Sequence, residues 1–337
     1  MERIPAGKLP APLLDELLVR YTVDDPRVVV GPGIGRDAAI IEMGDRYLVA
    51  KSDPITYATE RIGFYAVHVN ANDVACSGAT PRWFLATVLL PEKEASSALA
   101  ERIFAQLAEA CRGLGIALCG GHTEIVAGLP RTIVAGQMLG EVAPEEYLTS
   151  AGAQMGDAVI LTKGFALEGT AILATEKRNE LRGVLSDAEL ARAAELLDRP
   201  GISVVRNAQL AIAAGGVHAL HDPTEGGVAT GLWEVAKAAG VGLLIDEAKL
   251  GVLPACEVVC RHYGLDPLGL IASGALAVIA AEERAPAIVE RLQSEGIAAG
   301  VIGKVVPADQ RCRLRSADGS LRPLPSFARD EIVRVLE

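Results

Sequence analysis

Residues 69–85 read VNANDVACSGATPRWFL, and the fold turns on this stretch. Its first half completes a helix over 61–79. Ile62, Ala66, Val69 and Cys76 fall at four-, three- and seven-residue steps, so they share one apolar face. Asp73 fills the gap in that stripe with a carboxylate. Asn70 shares its face, and Asn72 stands beside it. RWFLATVLLP then reads as a strand. Toward the N-terminus, VVVGPGIGRDAAIIEMGDRYLVAKSDPI reads as strand, Gly-rich turn, strand, turn, strand, preceded by the short amphipathic helix APLLDELLVRY. On the other side, Ser96 to Leu114 reads as a long helix stopped at Gly115. ALCGGHTEIV and RTIVAGQMLGEV are two more strands around a turn.

A polar, turn-rich stretch, APEEYLTSAGAQMGD at 143–157, divides the chain into expected domains 1–150 and 151–337. Beyond it the pattern restarts. AVILTK, VHALH, VGLLIDE, ALAVIA and a strand near Ala298–Val305 alternate with helices at 168–177, 186–198, 203–214, 228–239, 255–263 and 285–295. SFARDEIVRVLE reads as a terminal helix. Alternation without long repeats makes both halves α/β or α+β.

The 337 residues exceed one small core, which agrees with two domains. Half are hydrophobic and 4% aromatic, so aliphatic side chains do the packing. The net charge of -11 argues against nucleic acid or an anionic membrane as primary partner. It leaves room for an anionic small molecule, held by glycine-loop N–H groups and by metal ions on carboxylates. Six scattered cysteines, Cys76, Cys111, Cys119, Cys256, Cys260 and Cys312, form no CxxC pair. Cys256 and Cys260 have the spacing of two core positions on a helix. With no hydrophobic N-terminal region and no apolar run long enough to cross a bilayer, the expectation is a soluble cytoplasmic protein with reduced thiols.

Acidic residues gather beside glycine turns and strand ends. Asp37 follows GPGIGR, Asp53 follows YLVAKS, Glu124 follows GGHT, and Asp73 joins them from the helix. Oxygen ligands of this kind suit Mg²⁺; the nitrogen and sulfur ligands of a zinc site are missing. The plainer reading makes Asp37 and Asp53 turn residues, Asn72 and Asp73 a solvated helix face, and His122 a hydrogen-bonded strand-end histidine. HDPTEGG ends in Gly226 and Gly227 at the start of a helix. Such a turn is an anion site by geometry, though a glycine pair there also serves packing alone. GPGIG lacks the lysine of a P-loop and does not fit a dinucleotide fingerprint.

In order along the chain, GPGIGRDAAII, KSDPI, VNANDVACSGATPRWFL, GGHTE and HDPTEGGVATGLWEVA resemble the PurM-like superfamily. It includes aminoimidazole ribonucleotide (AIR) synthetase, its amidotransferase relative, selenophosphate synthetase, thiamine monophosphate kinase and hydrogenase-maturation HypE. NDVACSGATP, HDPTEGGVAT and GLDPLGLIASG carry the likeness to the HypE branch. The resemblance implies a two-domain α/β fold in a homodimer. The N-terminal domains would form a shared β-barrel, and Mg–ATP would bind near that interface. It implies Asp37, Asp53, Asp73 and Glu124 as metal ligands, with Asn70 and Asn72 in support. Gly120, Gly121, His122 and Thr123 would approach the phosphates. His122 and Glu124 would serve catalysis, His122 as phosphate contact or proton donor. Asp222, Thr224, Gly226 and Gly227 would close the cleft from the second domain. The implied role is an ATP-dependent enzyme or maturation factor acting on a carbonyl, amide or phosphate acceptor supplied in trans, with room for a partner maturation protein.

The sequence departs from the HypE pattern in two places. HypE ends in a tail whose last cysteine is modified. Here the final residues are DEIVRVLE and the last cysteine is Cys312, so a reaction on the chain's own tail is not expected. GFALEGT replaces a GDHG-like loop; its Glu168 either substitutes for a catalytic carboxylate or is a helix N-terminal glutamate. Lys8 lacks the Gly-rich surroundings of the selenophosphate enzymes. Two rivals remain. A kinase resembling thiamine monophosphate kinase would need a second pocket for an aromatic acceptor, against which the aromatic-poor composition argues. A non-catalytic assembly scaffold would have no use for an intact acidic set.

Overall fold

From Ile133 to Val142 every second side chain is buried, the two-residue period of a strand with one covered face. That strand is the hinge of the first sheet. The computed structural model describes residues 4, 9–33, 35–56 and 60–336; Lys8 and Ile34 of the GPGIG turn lie outside them. The chain forms two compact units. One joins Val23–Pro32 to Asp37–Tyr147, and the other comprises Met1–Thr22, Gly33–Arg36 and Leu148–Glu337. The division falls inside the polar stretch at 143–157, three residues before the expected 150. The opening helix α1 (Ala11–Tyr21) groups with the C-terminal unit rather than with residues 1–150.

The N-terminal unit runs β1 (Val28–Val30), β2 (Ala39–Glu42), β3 (Tyr47–Ile55), α2 (Ile62–Cys76), β4 (Thr80–Pro91), α3 (Ser97–Leu114), β5 (Ala117–Val126) and β6 (Ile133–Val142). The sheet order is β1-β2-β3-β6-β4-β5. The two strands read around a turn, β5 and β6, do not pair with each other. The α3 crossover returns β5 parallel to β4 at the sheet edge, while β6 inserts between β3 and β4, antiparallel to both. Ser96 caps α3 by accepting the Leu99 N–H at 3.2 Å, and Gly115 stops it in the left-handed region at φ 68°. β3 outruns its expected end at Ala50 and carries KSDPI inside the strand. β2 pairs only as far as Ala50, so Pro54 lies where β3 has a single neighbour and its missing N–H is tolerated.

The C-terminal unit adds β7 (Ala158–Thr162), α4 (Leu167–Glu176), α5 (Arg178–Leu181), α6 (Asp187–Ala194), α7 (Val205–Ala214), β8 (Val217–His221), α8 (Gly227–Ala239), β9 (Gly242–Asp246), α9 (Pro254–Tyr263), β10 (Ala277–Ala280), α10 (Ala285–Ser294), β11 (Ala299–Val306), β12 (Cys312–Arg315), β13 (Leu321–Pro323) and α11 (Val333–Leu336). Its sheet is ordered β13-β12-β9-β11-β7-β10-β8. β7 is buried at every position, which requires cover on both faces. Val159 and Leu161 join the core under α4, α8 and α9; α7 and α10 pack together and against this sheet. The expected terminal helix shrinks to α11. Asp330 and Glu331, inside the expected helix, spend their carboxylates on backbone N–H groups elsewhere in the unit. Among the described residues no helix is long and apolar enough to cross a membrane.

Gly136 sets the spacing between β6 and α2. A Cβ there would lie 2.5 Å from Asn70 Nδ2 and 2.8 Å from the Phe84 ring. Gly136→Ala should therefore destabilise the N-terminal unit by about 1–3 kcal/mol, read as an earlier urea transition; an unchanged transition would show that α2 moves freely off the sheet.

Candidate functional site

Lys51 and Asp53 stand two apart on β3 and so project from the same side of the sheet. That side is the one α2 covers. Asn70 joins the two elements: its Nδ2 donates to the Ala66 carbonyl one turn back at 2.8 Å and to the Asp53 carbonyl across on β3 at 3.2 Å. Its Oδ1 is buried and accepts no hydrogen bond. One helical step on, Asp73 Oδ2 lies 3.1 Å from Lys51 Nζ, and Asp53 Oδ2 lies 3.7 Å from the same nitrogen. Asn70, Asn72 and Asp73 are 0%, 0% and 6% exposed, so this is an interior and not a solvated helix face. Burial works against the Lys51 charge. The charges of Asp73 and Asp53, the Asp73 hydrogen bond and the more distant Asp37 outweigh it and hold the ammonium above its usual pKa.

The donor set suits a hard cation: carboxylates of Asp37, Asp53 and Asp73, plus the idle Asn70 amide oxygen. Yet among the described residues no three acidic, histidine or cysteine side chains converge closely enough to hold a metal ion. The positive charge at this centre is that of Lys51. The sequence contains the clue in the two-residue spacing of KSDPI, but a lysine before an aspartate at an expected strand end looks like solvated charge.

GGHTE is placed differently. Strand register runs one row from Asp53 through Gly136 and Ala86 to Gly121, which puts Gly121 on the α2 side. A Cβ on Gly121 would fall 2.0 Å from the Ala86 carbonyl oxygen, so only glycine fits. His122 and Glu124 share rows with Thr87 and Leu89 and face the opposite side of the sheet from Asp53. Their side chains, Nε2 to Oε2 3.5 Å apart, are 68% and 59% exposed. Within one chain, then, Asp53 and Asp73 meet, Asp37 adds its charge, and Glu124 projects away from them. β5 is exposed from Ala117 to Ile125, Gly120 and Thr123 included.

In the C-terminal unit, HDPTEGG leads from β8 into α8. His221 Nε2 pairs with Glu234 Oε2 at 3.0 Å, and Asp222 is buried. The Thr224 carbonyl accepts the N–H groups of Gly227 at 3.1 Å and Ala272 at 3.2 Å. Gly226 and Gly227 are left-handed at φ 78° and 67°, and a Cβ on Gly227 would meet the Leu268 carbonyl at 2.3 Å. The anion foreseen at this helix start is supplied by the chain itself. Asp330 accepts the Gly226 N–H at 2.7 Å, and its other oxygen accepts those of Ile271 and Ile332 at 3.2 and 2.9 Å.

Glu168 lies close by, 5% exposed, bonded to Ser273 and with Oε2 buried and unpartnered. Burial, with the charges of Asp330 and Glu225 adding to it, pushes its carboxyl up to about 7. It lies in the first turn of α4, as read from the sequence, but as a buried acid and not a surface cap. The loop before it holds the non-glycine residues Lys163 and Ala166 at φ 62° and 59°, strain of the kind found at functional sites. Lys163 Nζ donates to the carbonyls of Gly201 and Ser203 at 3.0 and 2.6 Å, and burial lowers its pKa to about 8. Sequence reasoning missed Lys51, Lys163 and Asp330. Cys312 is buried in β12 with its thiol pushed up to about 11 by burial, which leaves it inert.

Residues 35–142 match the AIR synthase related protein N-terminal domain, and residues 154–314 match the corresponding C-terminal domain. The chain is 30% identical over 313 residues to the carbamoyl dehydratase HypE of Cupriavidus necator, covering 89% of this chain and 86% of that one. It is 31% identical over 313 residues to HypE of Rhodobacter capsulatus, covering 89% and 87%. A solved structure of hydrogenase maturation protein HypE in complex with ATP superposes with a TM-score of 0.73 at 25% identity, covering 97% of each chain.

Glu168 has a measurable signature. Its carboxyl titrates near 4.5 when unfolded and near 7 when folded. The folded state thus holds the proton more tightly, and stability falls as pH rises from the lower value to the higher, then levels. Against Glu168→Gln, which has no such group, the wild type should lose relative stability across that window in denaturant titrations. A constant difference would mean that Glu168 is ionised in the fold.

Proposed function

The chain belongs to the AIR synthase related, PurM-like superfamily, and on that premise we propose that it is an ATP-dependent enzyme of the HypE kind. Its acceptor would be a carbonyl or amide supplied in trans by a partner maturation protein. One observation carries this reading: an oxygen-rich charge centre, buried at Asp73 and open at Asp53, in which Lys51 pairs with both carboxylates, Asn70 ties helix to strand and Asp37 lies within electrostatic reach. Structural folding alone does not ask for such a centre, since apolar side chains of similar size fill the same space at lower cost.

Asp53 and Asp73, with Asp37 within electrostatic reach, would hold Mg²⁺ alongside water and phosphate oxygens, and the bound ion would neutralise polyphosphate charge. An amide oxygen leaves poorly until it is phosphorylated, so positioning and charge neutralisation are what such a reaction needs from the protein. The dehydratase name of the relatives agrees with that chemistry. We assign His122 and Glu124 to a homodimer interface built on β5. This exposed edge presents Leu118 and Ile125 beside open backbone groups, and edges of this type are covered in stable proteins. Six cysteines, none in a disulfide among the described residues and five of them buried, fit a reducing cytoplasm.

Calorimetric titration of ATP with Mg²⁺ tests the reading. Wild type should bind only with the metal, and Asp73→Ala should weaken binding by about 10-fold or more, a loss of about 1.4 kcal/mol or more; ADP release with carboxamide acceptors would follow. Absence of binding in both proteins would remove the enzyme reading and leave a scaffold. In sedimentation experiments Ile125→Lys should shift a dimer toward monomer, whereas an unshifted dimer would place the interface elsewhere.

A further inference from the structure

The acidic centre contains a cation of its own, and that has a consequence for how any other cation enters. Lys51 Nζ lies within 4 Å of both Asp73 Oδ2, at 3.1 Å, and Asp53 Oδ2, at 3.7 Å. A divalent ion shared by those two oxygens would need contacts of about 2.0–2.6 Å to each. It would thus occupy the space of the ammonium, and the two positive charges would repel strongly at such separation in a partly buried setting. Two further observations mark the place as built for a cation and not merely for an ion pair. Asn70, 0% exposed, leaves Oδ1 without a partner next to the Asp53 carbonyl its Nδ2 binds. The Asp53 side chain is 40% exposed while that of Asp73 is 8% exposed, so the centre opens at the Asp53 end and is closed at the other. A four-carbon lysine stem allows the head to swing out by that opening.

We propose that Lys51 is the resident cation of this centre, and that a divalent ion reaches Asp53 and Asp73 only by displacing its ammonium. The inference rests on the reading of this centre as the metal-nucleotide site and deepens it. Free divalent ion binds weakly, because it must break two ion pairs and strand a lysine. A polyphosphate offers the displaced ammonium new anionic partners, so metal and nucleotide enter together, each favouring the other.

The test uses Mn²⁺ alone, with no nucleotide, followed by the electron paramagnetic resonance of the free ion. Lys51→Met should bind Mn²⁺ about tenfold or more tightly than wild type, since one unit of adjacent positive charge is gone. Lys51→Arg, which keeps the charge, should bind as weakly as wild type. Equal or weaker binding by Lys51→Met overturns the proposal. A second readout needs no variant: acylation footprinting of the wild type by mass spectrometry. Lys51 should become more reactive as Mn²⁺ is raised to millimolar levels; unchanged reactivity overturns the proposal. Neither readout involves ATP, so a failure here is distinct from a failure to bind or turn over nucleotide.

Discussion

A helix buried on nearly every side cannot carry a carboxylate inward unless something meets it. That constraint organises the N-terminal unit. α2 brings Asp73, Asn70 and Asn72 into the interior, where an unpaired charge would cost several kcal/mol. β3 answers with Lys51, and the answer has structural conditions. β3 must continue past its pairing with β2, and β6 must lie close beneath the helix, which is what a glycine at 136 permits. Asn70 then ties helix to strand through two backbone carbonyls. The polar centre and the sheet geometry are one arrangement.

Much of this was legible in the sequence. The helix–strand alternation, the stop at Gly115 and a carboxylate set into the apolar stripe of the 61–79 helix all follow from local periodicity and turn chemistry. What local reading could not reach was pairing between distant segments. The insertion of β6 between β3 and β4 separates β5 from β6. It also sets the register that turns Glu124 away from Asp53. Lys51, Lys163 and Asp330 escaped notice for the same reason. Each has a partner far along the chain, and even Lys51, inside KSDPI, looks like solvated charge until Asp73 is placed against it.

The C-terminal unit solves a similar problem with the opposite sign. Its glycine turn exposes N–H groups at the start of α8, and the unit fills that positive end with its own Asp330. The same carboxylate fastens the segment around Ile271 and the end of the chain near Ile332. The terminal stretch gives up helical structure in exchange, and α11 is reduced to a single turn. Glu168, bonded to Ser273 beside this anchor, keeps its proton to higher pH because burial disfavours its charged form and the neighbouring charges of Asp330 and Glu225 are also negative.

The place of β6 also bears on how the chain assembles as it is made. It is the last strand of the N-terminal unit in sequence and a central strand in space. Until residue 142 has left the ribosome, the β1–β3 meander and the β4–β5 pair have no common sheet, and α2 has no continuous floor. Nascent chains therefore pass through a stage with two half-sheets and bare apolar strands, the condition in which chaperone capture and mispairing are greatest.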